Sequence, residues 1–270
     1  MNQDITCMSF NVLGIDMPNY AATEERAIYI AEYLQTNGTD LIGLQEAGSH
    51  SYDWTEKFCE MVCANHTYAA VKIKDTEGFQ TTINRTDGKT PNSAGLIILY
   101  RAERFELLSS GAQRYTSTER QVRYFQWVKL IDKQTKCLVY MTNTHWSIDW
   151  DEQGNVSALA GNEHRTKQAK ELQDFWENTV GKELLFATGD YNCVQDSDWI
   201  VSASGGIYKD ANTLLGNPEL QKPRIDYIFI NTCRAKVEEY AYARGAIEAY
   251  SDHKPLIVKV SYENNTVPGI

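Results

Sequence analysis

The chain has 270 residues, 42% of them hydrophobic and 23% charged, with 36 acidic against 26 basic side chains and a formal net charge of −10. Size and composition suit one globular domain with a sizeable core, and no linker-like tract or internal repeat divides it. The absence of any apolar run of about 18 residues excludes a membrane-spanning helix, and the acidic total argues against a tight, sequence-specific binder of DNA or RNA.

Met1-Asn2-Gln3-Asp4 leads straight into an apolar stretch, Ile5 to Val12, that reads as a strand with Asn11 near its end. With no basic head and apolar run ahead of it, the expected setting is the cytoplasm, or secretion with a leader already removed. Thr23-Glu24-Glu25-Arg26 opens a helix to about Leu34, with Thr23 placed to cap it and the glutamates suiting its dipole. Ala27, Ile30, Ala31 and Leu34 form its core stripe. A second strand, Asp40 to Gln45, ends in Gln45-Glu46. A helix near 52–63 follows, then strands near 67–74, 94–100 and 104–111. The polar stretch Asp75 to Ser93 interrupts these strands and is long for a compact domain.

Strands near 122–131 and 137–145 form a hairpin around Asp132-Lys133-Gln134-Thr135, the second delivering His145 at the tip of an apolar run. After the polar loop Asp149 to Asn162 comes a helix to about Asn178, with Ala169, Leu172, Phe175 and Trp176 at helical spacing. Leu184 to Asn192 is an apolar strand ending in Gly189-Asp190-Tyr191-Asn192. Strands near 225–231, 235–243 and 255–261 complete the chain. Asp226 opens the first of these, and Ser251-Asp252-His253 stands just ahead of the last. Strands outnumber helices and do not alternate strictly with them, which favours two packed sheets flanked by helices over a doubly wound parallel sheet. Six scattered cysteines read as buried reduced thiols; Cys59 and Cys63 look like half a zinc site but have no second pair.

Each strand singled out is apolar with a polar group near one tip, so each could deliver that group to one rim of a sheet. A carboxylate ending an apolar run, as Glu46 does, is costly to bury without a partner. Hard cations prefer oxygen, and Mg²⁺ keeps several waters with only one or two carboxylates. Asp190 and Asn192, two apart at a strand end, can point the same way. Simpler readings stand beside these. Asn11 alone is more often a turn residue, Gly-Asp-x-Asn also encodes an Asx-turn, Asp226 could pair with Arg224, and His145 could be a core-edge histidine.

Asn11, Gln45-Glu46, His145, Gly189-Asp190-Tyr191-Asn192, Arg224-Ile225-Asp226 and Ser251-Asp252-His253, in that order, resemble the endonuclease/exonuclease/phosphatase superfamily. DNase I-like nucleases, abasic-site endonucleases, neutral sphingomyelinases, inositol polyphosphate 5-phosphatases and deadenylases belong to it. The resemblance runs from about residue 5 to 261. It implies an α/β (α+β) fold, a four-layer α/β/β/α sandwich of two mainly antiparallel sheets flanked by helices, made of two β-rich halves.

It also implies a phosphoric ester hydrolase using Mg²⁺ or Mn²⁺. Glu46 and Asp252, helped by Asn11, would hold the metal. Asp190 would orient or activate the attacking water. Asn192, His145 and His253 would address the phosphoryl oxygens, His253 being the alternative to Asp190 as the general base, and Asp226 would fix the His253 tautomer. Arg123, Arg120 and Arg165 are candidates for neutralising substrate charge, since Arg recognises phosphate with a planar fork; structural roles are equally open to them. Trp146, Trp150 and Trp199 could stack a base or sugar at the rim or pack in the core.

Three departures narrow the substrate. Abasic-site endonucleases typically differ at the position of His145. Sphingomyelinases typically add an exposed apolar hairpin, whereas residues 75–93 and 149–162 are polar here. The 5-phosphatases normally carry Trp-Cys-Asp-Arg-Ile where this chain has Lys222-Pro223-Arg224-Ile225-Asp226. The expectation is a phosphodiesterase with nuclease-like, in-line hydrolysis, acting as a monomer on a phosphate ester, including nucleic acid bound without strong sequence specificity. The alternatives are a phosphomonoesterase of a small sugar phosphate, nucleotide or lipid head group, and a catalytically inactive binding protein on the same fold.

Overall fold

The computed structural model describes residues 3–48, 52–79, 95–117, 122–148, 163–194, 200, 203, 205–216 and 224–262. In β1 (Gln3–Asn11) successive side chains face two different interiors. Ile5 and Cys7 enter a core shared by two sheets, whereas Met8 and Phe10 pack under a helix. The same division recurs in β2 (Leu41–Gln45), β7 (Leu138–His145), β8 (Leu184–Asp190) and β10 (Asp226–Asn231). A strand buried on both faces needs apolar residues at every position, which is why these strands read as near-continuous apolar runs.

The other strands are β3 (Tyr68–Lys72), β4 (Ile97–Arg101), β5 (Phe105–Arg114), β6 (Tyr124–Asp132), β9 (Tyr208–Asp210), β11 (Ala235–Tyr242) and β12 (Leu256–Tyr262). Among the described residues they form two six-stranded sheets, ordered β11-β12-β1-β2-β4-β3 and β5-β6-β7-β8-β10-β9. Each sheet is antiparallel except at its centre, where β1 runs parallel to β2 and β7 parallel to β8. The two sheets therefore share one pattern of strand directions, and the two-half organisation is visible in the topology.

Helix α1 (Thr23–Asn37) makes the β1-to-β2 crossover and α3 (Glu163–Phe175) the β7-to-β8 crossover. Each lies on the outer face of its sheet, joined in the first half by α2 (Cys59–Cys63) and the π-helical turn Trp54–Phe58 before it. The layers are thus α/β/β/α. Ala27, Ile30, Ala31 and Leu34 are buried as the helical spacing predicts. Thr23 does not cap α1: its N–H and its hydroxyl both donate to Asp16 Oδ1, at 2.9 and 2.7 Å, so the cap comes from seven residues upstream. The short β9 and the helix α4 (Ala211–Leu215) were not visible as periodic patterns. The six cysteines are free thiols, four of them buried; Cys233 is exposed, contrary to expectation.

Between the sheets the interior is graded along the strands. The deep end is apolar, with Leu41, Val139, Met141, Leu184, Phe186 and Ile228 among its members. Above it lies a polar layer centred on Asn143. Its Nδ2 donates to Leu44 O (2.8 Å) and Ile97 O (3.3 Å), and its Oδ1 accepts from Gln45 Nε2 (2.7 Å) and Thr188 Oγ1 (3.1 Å). One amide thus bonds β2 and β4 of one sheet and β8 of the other. Gly43 makes room for it, since a Cβ there would fall 2.0 Å from Thr188 Oγ1.

Candidate active site

The third layer, at the open end of that interior, holds the titratable groups. Strand register places them: His145 pairs with Asp190 across β7 and β8, and Asp190 pairs with Asp226 across β8 and β10. Three polar tips therefore lie side by side. β12 runs antiparallel to β1, with Leu256 opposite Ser9, so the preceding segment Ser251-Asp252-His253 arrives beside Asn11. Ser251 fixes it there: its hydroxyl donates to Asn11 O (2.7 Å) and accepts from His253 N–H (3.1 Å).

Asp190 Oδ2 is the point of convergence. Asn11 Nδ2 donates to it at 3.0 Å, while His145 Nε2 and His253 Nε2 stand 3.6 and 3.7 Å away. The other oxygen, Oδ1, accepts from Asn192 N–H at 2.9 Å. The turn reading of Gly-Asp-x-Asn is therefore realised in the same residue, one oxygen closing the turn and the other facing the site. Asn192 has a left-handed φ of 50° and donates through Nδ2 to Trp146 O (2.9 Å).

Asn11 Oδ1 accepts from Leu13 N–H (3.0 Å), which fixes the amide orientation and aims Nδ2 at both Asp190 and Glu46 Oε1 (2.9 Å). Its side chain thus acts as a donor bridging two carboxylates. Glu46 is half-buried and also left-handed, with φ 58°. Such a backbone is rare outside glycine and marks places held by their surroundings. Here the surroundings are two glycines. A Cβ on Gly14 would lie 1.8 Å from Glu46 O, and one on Gly95 would lie 3.1 Å from Glu46 C.

His253 Nδ1 lies 2.8 Å from Asp226 Oδ2. The alternative pairing of Asp226 with Arg224 is not formed through the carboxylate: Arg224 pairs with Asp210 and donates to Asp226 O (3.2 Å). Burial works against a charge on His253, but Asp226 and Asp190 outweigh it and raise its pKa well above the ordinary imidazole value. Burial pushes the Asp190 carboxyl up to about 7; His253 restrains the rise and Asp226 adds to it. For His145, burial and then the positive charges of Arg123 and His253 push the pKa well below its ordinary value, so its ring is neutral.

The remaining expectations are distributed as follows. Asp252 is exposed and stands outside the two metal-capable groups found among the described residues, Glu46-His145-Asp190 and Asp190-Asp226-His253. Arg123 is 6% exposed and acts on His145 electrostatically. Arg165 has no exposed surface and donates to Asn192 O (2.6 Å), so it supports the turn from below and does not open on the rim. Trp146 is also core, its Nε1 donating to Tyr115 Oη (3.0 Å). Arg120, Trp150, Trp199 and most of 75–93 and 149–162 lie outside the described residues.

Sequence reasoning missed Asp210, Ser251 as a linker, Arg26, and the polar layer of Ser9, Gln45, Asn143 and Thr188. The layer did leave a signal. Ser9, Asn143 and Thr188 each stand two residues before a site residue, on the same strand face.

The donor set can hold a metal ion. The ligand atoms of Glu46, His145 and Asp190 lie within 4.8 Å of one another. Buried His145 Nε2 and Asp226 Oδ1 have no hydrogen-bond partner among the described residues, and buried polar atoms are rarely left so.

A sequence profile of the Endonuclease/Exonuclease/phosphatase family matches residues 8–253. The chain belongs to that family. A search of curated proteins gives no match. Solved structures agree on the fold. An endonuclease/exonuclease/phosphatase family protein from Bacteroides thetaiotaomicron is 20% identical, with 97% of this chain and 99% of that one covered and a TM-score of 0.69. The human Nocturnin catalytic domain with bound sulfate is 18% identical, with 97% and 98% covered and a TM-score of 0.72. A mannosyl-6-phosphatase from Bacteroides thetaiotaomicron VPI-5482 is 20% identical, with 95% and 99% covered and a TM-score of 0.65. Membership of the family supports a phosphoesterase, and enzymes of this family typically use divalent metals. No helix among the described residues is long and apolar enough to cross a membrane.

Proposed function

We propose that the protein is a divalent-metal-dependent phosphodiesterase that hydrolyses its substrate in line with an activated water. The observation that carries this reading is the convergence of Asn11, His145 and His253 on Asp190 Oδ2. An oxygen so placed can orient a water and accept its proton, and burial has brought its carboxyl into the range where a general base works at neutral pH.

Bound Mg²⁺ or Mn²⁺ would supply positive charge against the phosphoryl oxygens as negative charge develops there. Glu46 is its proposed principal ligand, Asp252 contributes from the exposed loop before β12, and Asn11 holds the Glu46 carboxylate through Nδ2. His253, kept charged by Asp226 and Asp190, donates from Nε2 to a non-bridging oxygen. His145, neutral and buried, offers a second contact at the same point, and Asn192 a third from its turn. Groups preorganised in this way usually supply the largest share of catalysis. Arg123 contributes charge from behind His145.

A second reading is favoured by the acidic net charge of −10 and by the likeness to a mannosyl-6-phosphatase: a phosphomonoesterase acting on a small sugar phosphate. Hydrolysis of bis-(p-nitrophenyl) phosphate and p-nitrophenyl phosphate, side by side in Mg²⁺, Mn²⁺ and EDTA, separates the two. Metal-dependent diester cleavage that falls by at least about 10²-fold in His253→Ala is the expected result. Cleavage of the monoester alone would establish the second reading instead.

A further inference from the structure

Arg26 is a cation with no exposed surface, and its fork is saturated. Nε donates to Ala21 O (3.0 Å), Nη1 to Val12 O (3.1 Å) and Tyr250 O (3.2 Å), and Nη2 to Ile15 O (2.6 Å) and Thr23 Oγ1 (3.1 Å). A guanidinium has five N–H donors in fixed directions, and every one is used. Four of the five acceptors are carbonyls of irregular backbone, which has no ladder to satisfy it.

Two of those carbonyls, Val12 O and Tyr250 O, adjoin the two segments that carry the site; Ile15 and Ala21 lie further along the connection from β1 to α1. Val12 follows Asn11 directly, and Leu13 next to it has a left-handed φ of 51°. Tyr250 directly precedes Ser251-Asp252-His253. One helical turn past Arg26, Tyr29 stacks on the Tyr250 ring with centroids 3.8 Å apart and planes 4° from parallel. Helix α1 therefore grips the second segment by hydrogen bond and by ring face. Ser251 adds a parallel link to Asn11 O. Arg165, in the first turn of the equivalent crossover helix, does the corresponding job at Asn192 O. A buried charge bonded mainly to carbonyls is a costly way to hold a loop, and a lysine, with three donors on a flexible stem, could not reproduce the span.

We infer that Arg26 is a positioning residue, clamping the segment after Asn11 to the segment before His253 and so fixing the metal-holding side of the rim against its proton-handling side. This rests on the proposed phosphoesterase reading. A displacement of about 1 Å at reacting groups can cost on the order of 10²-fold in rate. Arg26→Lys is expected to fold, to lower kcat on that order with KM little changed, and to cost nothing further when added to His253→Ala. A loss in the double variant equal to the product of the two single losses would overturn the inference, as would wild-type kcat in folded Arg26→Lys. If Arg26→Lys does not fold, Ser251→Ala is measured in its place. A kcat loss absorbed by His253→Ala supports the clamp, and an independent loss overturns it.

The geometry has its own readout in the metal-free protein, so an inactive wild type would sink the functional reading without deciding the clamp. The ring Nδ1 proton that bonds His253 to Asp226 should give a downfield, slowly exchanging NMR signal in wild type. Its loss in folded Arg26→Lys supports the clamp, and its persistence unchanged refutes it.

Discussion

The Nδ1 nitrogen of His253 lies 2.8 Å from Oδ2 of Asp226, and that contact decides where the other ring nitrogen points. With Nδ1 bound, Nε2 is directed to within 3.7 Å of Asp190. A carboxylate behind an imidazole selects its tautomer and stabilises its charge.

Asp226→Asn keeps the shape of that contact and removes its charge. The His253 pKa, measured by NMR titration of the metal-free protein, should fall toward the ordinary value, and turnover should drop by about 10²-fold. The sign for stability follows. A histidine whose folded pKa is raised contributes stability that is fully present below the unfolded pKa of about 6.5 and is lost as pH rises through the folded value. The variant should therefore lose more stability at pH 6 than at pH 9. An unchanged His253 titration would break the assignment.

His145 should behave in the opposite sense. Its folded pKa is depressed by burial and by neighbouring positive charge, so the unfolded chain takes up a proton that the folded chain refuses. Stability is lost as pH falls below about 6.5. Urea unfolding of His145→Gln between pH 5 and 7 should show a shallower acid dependence than wild type. The same slope in both proteins would mean that His145 is charged in the fold.

Glu46→Gln and His253→Ala should each reduce turnover by at least about 10²-fold, the scale of one removed electrostatic group. They should part company in metal binding, followed by Mn²⁺ EPR: weak binding in Glu46→Gln, near-normal binding in His253→Ala. Near-normal turnover in either purified variant would remove that residue from the site.

Gly14→Ala tests the clasp around Glu46. The new methyl would sit 1.8 Å from Glu46 O, so the backbone of one must move. A stability loss of about 1–3 kcal/mol is expected, together with weaker Mn²⁺ binding, although Gly14 offers no ligand atom. Full Mn²⁺ affinity in the variant would show that Glu46 does not depend on this contact.

Much of this molecule is determined locally. Alternation and apolar runs are properties of five to nine consecutive residues, so β1, β2, β7, β8 and the buried stripe of α1 can be read from the sequence, and so can the polar tips Asn11, Glu46, His145, Asp190, Asp226 and His253. What only the tertiary structure decided is how groups far apart in the chain divide their hydrogen bonds. Asn11 and Asp190 are 179 positions apart, and Arg26 and Tyr250 are 224 apart. No local pattern says that Arg224 turns its charge to Asp210 and so leaves Asp226 for His253, or that Arg165 is buried beneath a turn. In sequence Arg165 is open to substrate or structural roles, and Arg224 offers itself as a partner for Asp226. Their partners are supplied by register across neighbouring strands and by loops brought together at the end of a sheet, because a buried charge takes whatever acceptor the packed fold places within reach.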